Sequence, residues 1–334
     1  MNLPAGRQVI NYELLMSTVK KYLSLVKFSH TIFAMPFALI GFFLGMKGFF
    51  KVEQWNLNRT IGWAQDNPKP HFALPGFTPV AIDIKAVLLL FGLVILCMIF
   101  ARSAAMAFNR WLDANFDAKN PRTAVREIPA GVIKSNSALF FVIANCVFFI
   151  ICTFFINKIC FYLSPVALFV VLFYSYTKRF TALCHLVLGV GLSLAPIGAY
   201  LAVTGQFAWL PILFSFSVLF WVSGFDIIYA LQDEEFDKNN QLHSIPAALG
   251  KSRALMVSNL LHVFSAACVI TAGLYGHFGM WYWIGVVFFC GLLIYQHTLV
   301  KPNDLRKVNM AFFTTNGIAS VVFAIFVILD IFLS

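Results

Sequence analysis

The chain has 334 residues, 60% of them hydrophobic and only 11% charged, against about 25% charged in an ordinary soluble domain. That deficit excludes a soluble enzyme and places most of the chain in lipid. The net charge of +10 follows from where the cations fall along the chain and is not read as a nucleic-acid footprint.

Residues 1–15 read as a loose leader, and no A-x-A-like site marks a cleavable signal. The following "STVKKYLSLVKF" sets Tyr22, Leu23 and Val26 among Lys20, Lys21 and Lys27, the make-up of an amphipathic helix lying on a membrane surface. Residues 1–28 are thus expected to be leader and surface helix, and 29–334 one transmembrane domain. A span needs about 20 mostly apolar residues. Nine are predicted, at 29–48, 86–112, 137–156, 160–176, 185–204, 209–231, 254–273, 278–298 and 309–333. The joints at Asn157-Lys158 and Gly205-Gln206 are very short. The fold class is all-α, a multi-pass transmembrane helical bundle.

With nine spans and the N-terminus inside, sixteen Lys and Arg fall on one face and six on the other. The positive-inside bias makes the richer face cytoplasmic. The seven cysteines form no C-x-x-C pair and lie in or beside apolar spans, so they read as small buried hydrophobes.

The second span ends in "NRWLDANFDAKN" and the sixth in "GFDIIYALQDEEFDKNN". Aligning Asp113 with Asp233 puts Asp117 on Asp237, Phe116 on Phe236 and Asn120 on Asn240, and "REIPAG" is echoed by "HSIPAA". Such repetition implies two related halves around one site. Both spans are even-numbered, so both acid pairs reach the same face. Residues four apart share a helix face, which aligns Asn109, Asp113 and Asp117, with Arg102 on nearly the same stripe. Asp226, Tyr229, Asp233 and Asp237 form the matching stripe. One acid pair at a helix end is usually a solvated cap, but two copies with the same interior residues argue against coincidence. Four facing carboxylates repel unless a cation separates them, and an oxygen-only set suits Mg²⁺. Glu234 and Glu235 point off the stripe and read as loop solubilisers.

Arg122 and Arg126 follow the first acid pair, and Lys178 and Arg179 end the fourth span. They could clamp a phosphate-type anion, or simply express the positive-inside bias. Acids that hold metal, beside bases at one membrane surface, read as a diphosphate site whose apolar tail runs into lipid.

These residues resemble the UbiA family of intramembrane prenyltransferases. Asn109, Asp113 and Asp117 match its NxxxDxxxD motif. Asp226, Tyr229, Ala230, Gln232, Asp233 and Asp237 match DxxYAxQDxxxD, and "RTAVREIPAG" and "LHSIPAALG" look like the 4-hydroxybenzoate branch. One departure is Arg110, where many members carry Asp. The resemblance implies nine helices around a central cavity open to lipid. It implies two Mg²⁺ ions held by Asn109, Asp113, Asp117, Asp233 and Asp237, and a diphosphate held by Arg122, Arg126, Lys178 and Arg179. It further implies Asp226 and Tyr229 at the reacting end, with Arg102 as the anchor of an aromatic acid, unless Arg102 is merely a buried Arg paired with Asp226 or backbone carbonyls. The implied activity transfers a polyprenyl group from its diphosphate to an aromatic acceptor, in a cytoplasmic (inner) membrane, for quinone synthesis. Alternatives are an aromatic of menaquinone synthesis, haem farnesylation or, from another class, divalent-cation transport.

Overall fold

The computed structural model describes residues 20–26, 33–47 and 84–334, and among them helix is the only extensive secondary structure. The expected leader, Lys27 and the long loop after the first span lie outside these residues. Helix α1 covers 20–25 and α2 Met35–Lys47. They are followed by α3 (Ile84–Leu112), α4 (Ala114–Asp117), α5 (Ser135–Ile156), α6 (Lys158–Thr177) and α7 (Cys184–Thr204). The second half continues with α8 (Trp209–Ala230), α9 (Glu234–Asn239), α10 (Ile245–Tyr275), α11 (Met280–Leu299) and α12 (Asn316–Leu333).

Among the described residues, eight helices are long and apolar enough to cross a membrane; the first expected span is represented there by the shorter α2. Both doubtful joints are real. Asn157 is extended, and its carboxamide accepts from Cys160 N at 2.9 Å while donating to Leu201 O at 2.8 Å. One residue thus ends α5, caps α6 and ties both to α7. Gly205 closes α7 with φ +64°, a conformation glycine adopts without strain.

In lipid, helices associate through close packing and interhelical hydrogen bonds. A Cβ on Gly189 of α7 would stand 2.5 Å from Leu219 O of α8, so only glycine permits that approach. Ser258 donates to Gly224 O at 2.7 Å, joining α10 to α8. Trp221, fully buried, donates to Asn316 Oδ1 at 3.0 Å. Around it Phe37, Phe214, Phe289 and Phe323 pack the largest core cluster. Other phenylalanines, such as Phe140, Phe154 and Phe169, are exposed and form an apolar exterior that suits lipid.

α1 differs from the expected surface helix. Leu25 and Val26 are buried, whereas Leu23 is exposed. Leu25 joins a cluster with Ala104, Ala107 and Ile133, and Tyr22 stacks on Phe141. The apolar side of α1 is therefore used against α3 and α5.

The two halves agree closely at the motifs. α3 stops at Leu112, and Asp113 stands at φ −91°, ψ 6° before α4. α8 gives way to a 3₁₀ turn, Leu231–Asp233, and Asp233 stands at φ −104°, ψ 6° before α9. Each aspartate sits at the same kink. Downstream the likeness continues in part: each Ile-Pro-Ala run reaches a glycine with positive φ, Gly131 (+72°) and Gly250 (+78°), where the chain kinks ahead of the long helix, but the local turns differ. Pro246 opens α10 behind Ser244, whose hydroxyl accepts from Ala247 N at 3.3 Å. Ile128-Pro129-Ala130 lies in turns, and α5 begins only at Ser135.

Candidate active site

The two kinks face each other across a polar cavity of about 290 Å³. Each of the four motif aspartates is paired with one of the four predicted bases. Arg179 Nη2 donates to Asp113 Oδ1 at 2.9 Å and to Leu112 O at 3.0 Å. Arg126 Nη1 reaches both oxygens of Asp117, at 2.7 and 2.8 Å. Arg122 grips Asp233 through Nε at 3.1 Å and through Nη2, and its Nη1 donates to Tyr229 OH at 2.9 Å. Lys178 Nζ lies 2.7 Å from Asp237 Oδ1. The bases occupy the place where a separating cation was expected.

Neighbours tune these charges. Burial pushes the Asp113 carboxyl above the usual carboxylate range; Arg179 pulls it back and Asp117 pushes it up again. Burial acts to lower Lys178, but Asp237 outweighs it and holds the ammonium above its ordinary value. Arg122 follows the same balance with Asp233.

Asn109 donates to Asp113 Oδ2 at 3.2 Å, which leaves its own carbonyl oxygen for other use. Asp237 departs from expectation. It is fully buried, receives Ser244 Oγ at 2.8 Å, and is absent from the cavity wall that Asp113, Asp117 and Asp233 line. The oxygen-only donor set fits Mg²⁺ in kind. Among the described residues, however, no three acidic, His or Cys side chains converge tightly enough to grip an ion. Admitting a metal therefore requires the aspartates to exchange their base partners for it.

Some expectations fail in detail. Glu234 does not merely solubilise a loop: it is 8% exposed and stands between Lys238 (2.6 Å) and Lys251 (3.9 Å), which braces α9 against α10. Arg110 is buried and turned from the aspartates to Glu127, at 2.9 Å. Ser24 of α1 donates to the other oxygen of Glu127. The departure from the family motif thus has a local partner. Among the described residues, Arg102 pairs with neither Asp226 nor a backbone carbonyl, and its buried Nε lacks a hydrogen-bond partner.

Sequence reading missed three polar residues. Asn120 donates to Asp233 Oδ1 at 3.2 Å and accepts from Arg122 N at 3.0 Å, so it orients that pair. Ser244 seats Asp237. His185, 3% exposed, holds Asp226 through Nδ1 at 2.7 Å. Asn120 and Ser244 lay within the repeated segments without being read as site residues, and His185 carried its own signal, an ionisable group at the start of an apolar span.

A second cavity of about 420 Å³ runs between α3, α5, α6 and α7. Its wall is almost wholly apolar and shares Arg102, Met106, Tyr174, Leu188 and Leu192 with the polar cavity. An amphiphile could place its head among the charged pairs and its tail here. Aromatic rings also line the polar cavity: Tyr229 stacks on Phe312 at 4.2 Å, and Phe33 packs against Phe225 at 5.7 Å. The π-helical turn Met310–Thr315 places Phe312 there.

Residues 72–318 match the model of the UbiA prenyltransferase family. The 4-hydroxybenzoate octaprenyltransferase of Nitrosomonas europaea is 31% identical over 69% of this chain and 78% of its own. That of Aliivibrio salmonicida is 31% identical over 69% and 80%. Among solved structures, the apo form of a UbiA homolog from Aeropyrum pernix K1 superposes with a TM-score of 0.72 at 26% identity, covering 90% of this chain and 98% of that one. A UbiA homolog from Archaeoglobus fulgidus, bound to DMAPP and Mg²⁺, gives 0.62 at 20% identity over 94% and 100%. The paired aspartate kinks, the helical membrane bundle and the family match over most of the chain agree: the protein belongs to the UbiA prenyltransferase family.

Proposed function

We propose that the protein transfers a polyprenyl group from its diphosphate to 4-hydroxybenzoate, with the diphosphate entering from the cytoplasmic face of the inner membrane. The observation that carries this reading is the pairing of every motif aspartate with a base, three of these aspartates lining one polar cavity that adjoins an apolar one. Both substrate charges and the isoprenoid tail then have a place.

Asn109, Asp113, Asp117, Asp233 and Asp237 would hold Mg²⁺, with Asp237 moving out of its present burial. Bound Mg²⁺ supplies positive charge that neutralises the diphosphate. Arg122, Arg126, Lys178 and Arg179, released from their aspartates, bind diphosphate oxygens and stabilise the leaving group as charge builds on it. The allylic C–O bond breaks, and its electron pair leaves with the diphosphate. The faces of Tyr229, Phe312 and Phe225 stabilise the allylic cation. Arg102, with a spare buried N–H at the junction, binds the acceptor carboxylate. The aromatic ring attacks the cation, and Asp226 receives the ring proton. Water is excluded by the aromatic lining.

The related homologues named as 4-hydroxybenzoate octaprenyltransferases support this acceptor. A cation transporter would string acids along its spans, whereas these sit at one end, each tied to a base. The test is to incubate membranes carrying the protein with labelled polyprenyl diphosphate and either 4-hydroxybenzoate, a naphthoate acceptor or haem, and to identify products by mass spectrometry. Prenylated 4-hydroxybenzoate is expected. Transfer only to another acceptor would overturn the assignment.

A further inference from the structure

The four metal-motif aspartates meet Arg or Lys, but Asp226 meets a buried histidine. His185 Nδ1 lies 2.7 Å from Asp226 Oδ2. Its other ring nitrogen, Nε2, faces the backbone N–H of Ile245 at 3.4 Å. A backbone N–H can only donate. Nε2 must therefore accept and carry no proton, so the ring proton is on Nδ1, pointed at Asp226. His185 is 3% exposed, whereas the Asp226 side chain keeps 23% of its surface open and lines the polar cavity.

We propose that His185 is a positioning residue for Asp226. Its Nδ1–H holds Oδ2 and leaves Oδ1 for the reacting ring, and Ile245 N–H sets the tautomer that makes this possible. Orientation of a reacting group through a partner that fixes the histidine tautomer follows general physical chemistry. Ile245 directly follows Ser244, which seats Asp237. The segment that seats Asp237 therefore also sets the tautomer, so the first and last aspartates of the second motif are arranged together. The inference rests on the reading that Asp226 receives the ring proton.

Two variants and one spectrum test it. The carboxamide of His185→Gln can accept from Ile245 N–H and donate to Asp226; the side chain of His185→Leu can do neither. His185→Leu should lower kcat about 10- to 100-fold with the KM for polyprenyl diphosphate unchanged, and His185→Gln should recover most of the loss. A fold defect would instead appear equally in both. In ¹⁵N NMR of histidine-labelled protein in detergent micelles, the resonance lost in His185→Gln should report a neutral ring protonated at Nδ1. An Nε2–H tautomer, an imidazolium, or equal losses in the two variants would overturn the proposal. If His185→Leu does not fold, the wild-type spectrum and His185→Gln decide. Wild-type protein that transfers no prenyl group would defeat the proposed function instead, and the spectrum would still decide the tautomer.

Discussion

Arg122, just after the first acid motif, holds Asp233 of the second motif in a two-pronged pair, although 111 residues separate them. The two halves are thus tied together through the groups proposed to bind metal and diphosphate. Each base must let go of its aspartate before either ligand can bind fully. On the proposed function, metal on the acids would free the bases, and anion on the bases would free the acids. Such exchange is a coupling free energy and is reciprocal.

Binding of Mg²⁺ and of a non-hydrolysable prenyl thiodiphosphate should therefore be mutually strengthening. Calorimetry is expected to show at least about tenfold tighter thiodiphosphate binding with Mg²⁺ than with EDTA, a typical coupling of 1–3 kcal/mol. Equal affinities would refute the exchange. Turnover should vanish with chelation.

Asp113→Ala and Asp233→Ala should each reduce kcat by at least about 100-fold while membrane insertion stays normal. In the first variant Arg179 keeps its bonds to Leu112 O and Ser175 O; in the second Arg122 keeps Tyr229. Neither base is stranded. Loss of folded protein on size-exclusion chromatography would assign these acids a structural role.

Asp237→Ala should behave differently. Its carboxylate is fully buried and supports both Lys178 and Ser244. Removing it should cost about 2–3 kcal/mol of stability as well as activity, below the usual figure for a broken buried pair because Lys178 is 32% exposed. A melting temperature equal to that of Asp113→Ala would contradict this.

Arg110 and Glu127 test the departure from the family motif. Their side chains are 4% and 14% exposed. Arg110→Glu should cost about 3–5 kcal/mol by leaving like charges buried. The double exchange Arg110→Glu with Glu127→Arg should recover much of that. No recovery in thermal melts would show that Arg110 acts through another contact.

Sidedness can be read by labelling single cysteines in a background without the seven native ones. Asn239→Cys, in α9, should label from the cytoplasmic side only, and Gln206→Cys, between α7 and α8, from the other. The opposite pattern would invert the topology and remove the proposed substrate route.

Length and hydropathy sufficed for eight of the nine expected spans among the described residues, because a helix that crosses a bilayer needs about 20 apolar residues and satisfies its backbone groups internally. Asn157 and Gly205 could be located as breaks because even an interruption of one residue, or of the four at 205–208, still needs a residue that caps or turns the chain. The two kinks were legible as a repeat, since D-x-x-F-D-x-x-N occurs twice, and span parity put them at the same end. The partners within the site were not legible. Arg179 meets Asp113 across 66 residues and His185 meets Asp226 across 41, and no local spacing encodes such a meeting. Likewise Arg110 looked like a flaw in a motif until folding brought Glu127 and Ser24 to it. Sequence period and composition determine which face of a helix is polar. Only the packing of one helix against another decides which charge that face will find.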